Sequence, residues 1–283
     1  MPCPSCASPS LERVVRGPDG SWALWRCRQC GLYPVLPLPT QRETYGKTYF
    51  ERTTLPDTPR YSGYLSYDRD REGRKKDFRR LFRPYVTPSN TVLDIGCATG
   101  TALEALRDLG VAENQLTGLD ISEYAIREAG ARLPNARFFR QDVAAGLSDG
   151  SFRLILLLDI LEHVPDPAAI FHDAAGHLAP GGVMLISTPD PESWMRKSFG
   201  WRWTEFHDGE HLCFLSTAWL ENAAASSGLQ VADIARIGRR MSLDHFAARA
   251  RSYLPFFPAL PSSRALSINV RDQLFAVLKK PNP

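Results

Sequence analysis

From Thr91 onward the chain alternates two hydrophobic rhythms. Short apolar runs predict strands over Thr91–Ile95, Gln115–Leu119, Ala136–Arg140, Phe152–Leu158, Val183–Ser187 and Leu229–Ile237. Between them, apolar residues recur at helical spacing over Thr101–Leu109, Ser122–Leu133, Ala168–Leu178 and Thr217–Ser227. Gly110 and Gly228 follow two of these helices, and Ser122 is an N-cap for another. Strands alternating with helices predict an α/β fold, a parallel sheet covered on both faces. The run "RLILLLD" has the unbroken apolar character of a strand buried on both sides. "DQLFAVLKKP" reads as a last strand returning antiparallel at the sheet's edge.

Upstream, Tyr64–Tyr85 is helical in pattern, with Phe78, Leu81, Phe82 and Tyr85 on one face. The other face carries Arg69, Arg71, Arg74, Lys75, Lys76, Arg79 and Arg80 diluted by acids, which predicts a solvated surface. Late in the chain, Leu243, Phe246, Ala247, Ala250 and Leu254 mark an amphipathic helix ended by Pro255.

The first thirty residues follow neither rhythm. Their signal is chemical: Cys3-x-x-Cys6 and Cys27-x-x-Cys30, around two short strands and the turn Gly17-Pro18-Asp19-Gly20. Four thiolates in paired spacing suit a closed tetrahedral Zn2+ site, so the pattern predicts a zinc-ribbon hairpin. A module this small needs the metal to fold. Cys97 and Cys213 stand apart and read as small buried residues. The organisation expected is a ribbon over 1–33, a linker and helical lid segment over 34–89, and the main domain over 90–283. Within that domain, 190–215 reads as a lid loop and 238–266 as a cap insertion that covers substrate or forms a dimer surface, with attachment to a membrane surface as the lesser alternative.

Composition adds limits. The 283 residues are 43% hydrophobic and 23% charged, with a net charge of +3. No apolar run approaches the roughly 20 residues of a membrane span, and the start "MPCPSCASPS" lacks a signal-peptide pattern. A cytoplasmic location is expected. The charge is too mild to argue for nucleic acid by itself.

The stretch "LDIGCATG" joins a strand to a helix through a glycine turn. A dinucleotide fingerprint would place glycines where Ala98 and Thr101 stand. Read instead as Asp94, Gly96 and Gly100, the turn resembles the first motif of class I S-adenosylmethionine (SAM) dependent methyltransferases, with Ala98 at that family's middle glycine. A non-glycine residue at positive φ would cost about 1–2 kcal/mol, so the expectation is that Ala98 has negative φ. The segment from Ser151 to Pro189, including Pro180-Gly181-Gly182, resembles the family's fourth and fifth motifs. The resemblance implies a Rossmann-like seven-stranded sheet. It places SAM against Asp94, Gly96, Cys97, Ala98 and Gly100, with Asp120 on the ribose beside Ile121. Asp142 and Val143 fall near the adenine and Asp159 near the methionine end.

Methyl transfer from a sulfonium needs alignment, and a hydroxyl acceptor must also lose a proton. The site lies at the carboxyl ends of the strands. After the fourth strand, Asp159, Glu162 and His163 share an i, i+3, i+4 face if the segment is helical. The stretch resembles ubiquinone-pathway O-methyltransferases, in which a Glu-x-x-Glu-His run is linked to a divalent metal such as Mg2+. The alternative is that Asp159 borders SAM while Glu162 and His163 brace a helix start. After the fifth strand, Trp194, Phe199, Trp201, Trp203 and Phe206 would exclude water, while His207, Glu210 and His211 can move protons. His211, then His163, with Glu210 beside them, are the candidate catalytic residues. The whole implies a small-molecule O-methyltransferase. The rivals are an RNA methyltransferase gripping RNA through Arg13, Arg16, Arg26 and Arg28, and a SAM-binding protein without turnover.

Overall fold

The computed structural model describes residues 1–38, 71–147, 150–206, 210–251, 253–254, 256–258, 260 and 265–282. Tyr64 to Asp70, His207 and Pro255, named above, lie outside them. A seven-stranded sheet runs in the order β10-β11-β8-β7-β4-β5-β6. Its strands are β4 (Val92–Ile95), β5 (Leu116–Asp120), β6 (Arg137–Arg140), β7 (Phe152–Leu158), β8 (Leu178–Pro189), β10 (Gln230–Ser242) and β11 (Ala265–Lys279). Strands β8, β7, β4, β5 and β6 are mutually parallel, while β11 is antiparallel to both β8 and β10. The last strand therefore sits inside the sheet and not at its edge, with Phe275 beside Ser187.

The buried run of β7 divides by parity, as a pleated strand must. Ile155 and Leu157 enter one core with Phe171 of α4 (Pro167–His177) and Trp219 of α6 (Thr217–Ser226). Leu154 and Leu156 enter the other, with Phe82 of α1 (Arg71–Phe82) and Leu103 and Leu106 of α2 (Thr101–Asp108). Each such leucine contributes about 1.5–3 kcal/mol by burial. The predicted N-cap holds: Ser122 accepts a hydrogen bond from the Ala125 amide at the start of α3 (Glu123–Arg132).

The charged face of α1 is not simply solvated. Arg79 and Lys75 both pair with Asp108 of α2, at 2.7 and 3.2 Å, and Lys75 is buried. Arg71 donates to the Thr99 carbonyl and hydroxyl, each at 3.0 Å, and to Glu104. The helix–helix seam thus recruits charges that periodicity alone assigns to solvent.

The N-terminal residues form a second sheet, β1-β2-β3-β9. Strands β1 (Leu11–Arg16), β2 (Ala23–Cys27) and β3 (Leu32–Leu36) come from the start of the chain, whereas β9 (Cys213–Leu215) comes from far downstream. The expected boundary between 33 and 34 falls inside β3, and the ribbon sheet is completed by the segment read as a lid. Tyr33, Val35 and Leu24 pack with Trp203, Phe206, Met195 and Phe214 as a third core. Residues 190–206 and 210–215 are a packed layer against the ribbon, with α5 (Trp194–Phe199) along it. Of the expected cap insertion, residues 238–242 continue β10, α7 (Leu243–Arg251) follows, and 265–266 begin β11.

Candidate functional site

The four ribbon thiols come together. Cys3 and Cys30 are 3.6 Å apart at sulfur, as are Cys6 and Cys27. Tetrahedral coordination at about 2.3 Å per sulfur places neighbouring sulfurs about 3.8 Å apart, so the set fits a structural Zn2+. The hydrogen bond shared with Cys30 brings Cys3 down to about 5 and pushes Cys30 up. The ribbon is anchored beneath: Ser216 donates to the Gly31 carbonyl at 2.7 Å, and the Trp219 indole donates to Ser5 at 3.1 Å. Of the arginines weighed for RNA, Arg28 is paired with Glu12 and Arg26 lies 3.9 Å from Glu192.

The glycine turn leaves β4 at its carboxyl end. Gly96 has φ +76 and a Cβ there would meet Ile160 at 2.8 Å, so both backbone and space require glycine. Ala98 has φ +47, which overturns the negative φ expected of it. Its amide donates to the Asp120 carboxylate at 2.9 Å, and this bond holds the left-handed turn that the side chain disfavours. Gly100, at φ +82, opens α2. Cys97 is buried within the turn, as a small core residue would be.

Asp120 therefore has a structural part in the turn. Its other carboxylate oxygen accepts from the Ser122 amide at 2.8 Å, so it ties the turn to the start of α3. Burial raises its pKa. Asp94 is fully enclosed, and burial followed by the Asp120 charge pushes it up to about 8. Asp142 caps a short 3-10 turn, accepting from the Ala144 amide at 2.9 Å. Its neighbour Val143 is buried, while Ile121 remains 44% exposed.

After β7 the expected helical face is absent. Asp159 has φ +53, and only Leu161–His163 form a 3-10 turn, so Asp159 does not share a face with Glu162 and His163. Asp159 instead accepts from the Gln273 side-chain amide of β11, while its own amide donates to the Ser187 carbonyl at 2.8 Å. The partner that Glu162 and His163 do meet is His211: donor atoms of the three lie within 4.8 Å of one another. Glu162 is fully buried and accepts from the Thr188 hydroxyl at 3.2 Å. The two imidazoles pack edge to face with centroids 4.6 Å apart.

Each imidazole is oriented from behind. His163 Nδ1 bonds the Glu210 carbonyl at 3.0 Å, and His211 Nδ1 bonds the Glu205 carbonyl at 2.6 Å. A carbonyl only accepts, so both Nδ1 atoms carry hydrogen, and in the neutral form of each ring Nε2 is the lone-pair nitrogen. Glu210 enters this arrangement through its backbone. The ribbon reaches the same place, since the Val35 amide donates to Leu212, whose amide donates to Glu162. Sequence reasoning missed Gln273, Thr188 and Arg71, because each acts by a contact between elements distant in the chain.

A family model described as a methyltransferase domain matches residues 67–234. The ubiquinone biosynthesis O-methyltransferase of Albidiferax ferrireducens is 35% identical over 104 residues, 34% of this chain and 40% of that protein. Its counterpart in Idiomarina loihiensis is 36% identical over 114 residues, 37% of this chain and 45% of that one. The chain thus spans less than half the length of these curated relatives. Among solved structures, a putative methyltransferase from Bacillus halodurans superposes with TM-score 0.55 and 15% identity, covering 73% of this chain and 100% of that one. A chain of the complex between the Haloferax volcanii Trm112 methyltransferase activator and a putative methyltransferase gives TM-score 0.52 and 21% identity, covering 77% and 96%. At these identities the likeness establishes the fold.

Proposed function

Because the chain belongs to the methyltransferase-domain family, we propose that it moves a methyl group from SAM to a hydroxyl of a small-molecule acceptor. The observation that carries this reading is the turn Gly96–Gly100, set at the carboxyl end of β4 and tied to Asp120 at the end of β5. That crevice is where an open α/β sheet binds its ligand. In this reading Asp120 holds the ribose hydroxyls with its remaining lone pairs, Asp142 and Val143 border the adenine, and Asp94 and Asp159 face the methionine end. Gly96, Cys97, Ala98 and Gly100 line the turn, and Ile121 covers the base.

The acceptor lies over the ends of β7 and β8, and its hydroxyl loses its proton at the Glu162–His163–His211 cluster. The orientation of both imidazoles supports this role, since each presents Nε2 as an acceptor. Glu210 is a positioning residue there. The four ribbon thiols hold Zn2+ as a structural ion and brace β9, next to His211. The names of the curated relatives favour oxygen as the methylated atom.

The test is to incubate the purified chain and methyl-labelled SAM with a host extract separated into small molecules and RNA. Label in the small-molecule pool, lost with Asp120→Ala, supports the reading. Label in RNA overturns the acceptor class. SAM binding without label transfer to a complete metabolite pool overturns turnover.

A further inference from the structure

We propose that Glu162, His163 and His211 form a second metal site, separate from the four thiols, that takes a divalent transition ion in preference to Mg2+. What such an ion would do for catalysis rests on the methyl-transfer reading; its binding does not. The resemblance to ubiquinone-pathway enzymes implied a carboxylate-rich set of Asp159, Glu162 and His163. The fold breaks that set, because the left-handed turn at Asp159 leaves its carboxylate with Gln273. His211, delivered by the segment that leads into β9, takes the third place.

Three features favour metal at this place. The donor atoms lie within 4.8 Å of one another, and ligation at about 2.0–2.2 Å needs separations of about 3–4 Å, a closure of at most about 1–2 Å by side-chain rotation. Both imidazoles bond a backbone carbonyl through Nδ1, the outer support that fixes ligand histidines and aims Nε2 at an ion. The Thr188 hydroxyl fixes the Glu162 carboxylate in the same way, and a dication offsets the cost of burying that charge.

The donor chemistry selects the ion. Two imidazoles and one carboxylate suit Zn2+, Fe2+ or Ni2+, whereas Mg2+ wants oxygen ligands and keeps its waters. Three protein ligands leave a position open, as in catalytic sites. With an ion bound, Nε2 of His163 and His211 would be ligands and no longer the proton acceptors of the metal-free reading; the ion would lower the pKa of an acceptor hydroxyl at the open position, and its proton would pass to solvent.

The test uses the full chain with its ribbon already loaded with Zn2+. Further Zn2+ bound at equilibrium dialysis is counted with and without a large excess of Mg2+, and SAM binding is measured on the same samples. The expected result is one further equivalent that resists Mg2+, weakened at least about 100-fold by Glu162→Gln and by His211→Gln and retained by Asp159→Asn. In a parallel sample with Co2+ in place of the ribbon's Zn2+, charge transfer at the thiols reports whether each variant is folded, and His163→Gln reads the site if His211→Gln disturbs that signal. No further equivalent, its retention in Glu162→Gln, its loss in Asp159→Asn, or its displacement by Mg2+ overturns the proposal. SAM binding without a further ion rejects the metal site and leaves the methyl-transfer reading standing. A further ion without SAM binding does the reverse.

Discussion

Ala98 offers the cleanest quantitative handle on the turn. It is an alanine at φ +47, held there by the bond from its amide to Asp120. A left-handed non-glycine residue costs about 1–2 kcal/mol, and glycine returns about 0.5–1 kcal/mol of that through the greater freedom of its unfolded chain. Ala98→Gly should therefore stabilise the fold by about 0.5–1 kcal/mol. For a domain of this size that is a rise in Tm of about 1–4 °C. Because Asp120, a protein group, sets the turn, the strain belongs to folding, and SAM affinity should change by less than about twofold. Ala98→Val, β-branched and worse at positive φ, should lower Tm. Thermal unfolding followed by circular dichroism, with SAM affinity by calorimetry, checks both. A lower Tm for the glycine variant, or a valine variant as stable as the parent, would refute the strained turn. A tenfold gain in SAM affinity for the glycine variant would mean that the strain is met on binding.

Asp94, raised to about 8 by burial and the Asp120 charge, keeps a proton in the folded chain that the unfolded chain releases near pH 4. Its contribution to stability is full below about pH 4, falls as pH rises and levels off above about 8; a pH-stability series in which Asp94→Asn keeps that slope would refute this. The cationic methionine end of SAM favours the ionised carboxylate, so SAM affinity should rise toward pH 8 by up to about tenfold per unit, a dependence that Asp94→Asn removes. Asp120→Ala should weaken SAM at least about tenfold and also lower Tm, because the Ala98 and Ser122 amides lose their acceptor; weaker SAM at unchanged Tm would mean that the carboxylate serves the ligand alone. Cys27→Ser should release the ribbon's Zn2+ and slow methyl transfer while SAM affinity stays within about threefold, since β9 braces His211 and not the glycine turn; unaltered turnover after metal loss would separate ribbon from site.

Much of this was legible in the sequence because it is written in local terms. A strand buried on both faces is apolar along its buried run, so Leu154–Leu157 make β7 (Phe152–Leu158) legible. Ser122 announces its helix by a bond that spans three residues. The paired cysteines announce the thiol cluster because a closed tetrahedron demands four soft ligands. The placement of β11 between β8 and β10 was not legible, since an apolar run does not say which neighbours it will have.

The candidate site divides along the same line. Asp94, Gly96, Gly100 and Asp120 are legible as candidates because each sits at a fixed offset from the end of its strand. Asp159, Glu162 and His163 were grouped by helical spacing, and that grouping depended on a backbone conformation that φ +53 at Asp159 does not permit. His211 was picked from a histidine-rich loop, yet nothing local told whether it would meet Glu162. What brings them together is β3, which pairs with β9 and passes its Val35 amide to Leu212, and Leu212 in turn bonds Glu162. An N-terminal module thus holds the backbone beside His211 against the backbone of Glu162. Its metal is expected to govern the acceptor side of the crevice and spare the SAM side, a coupling expressed only once the two sheets are built.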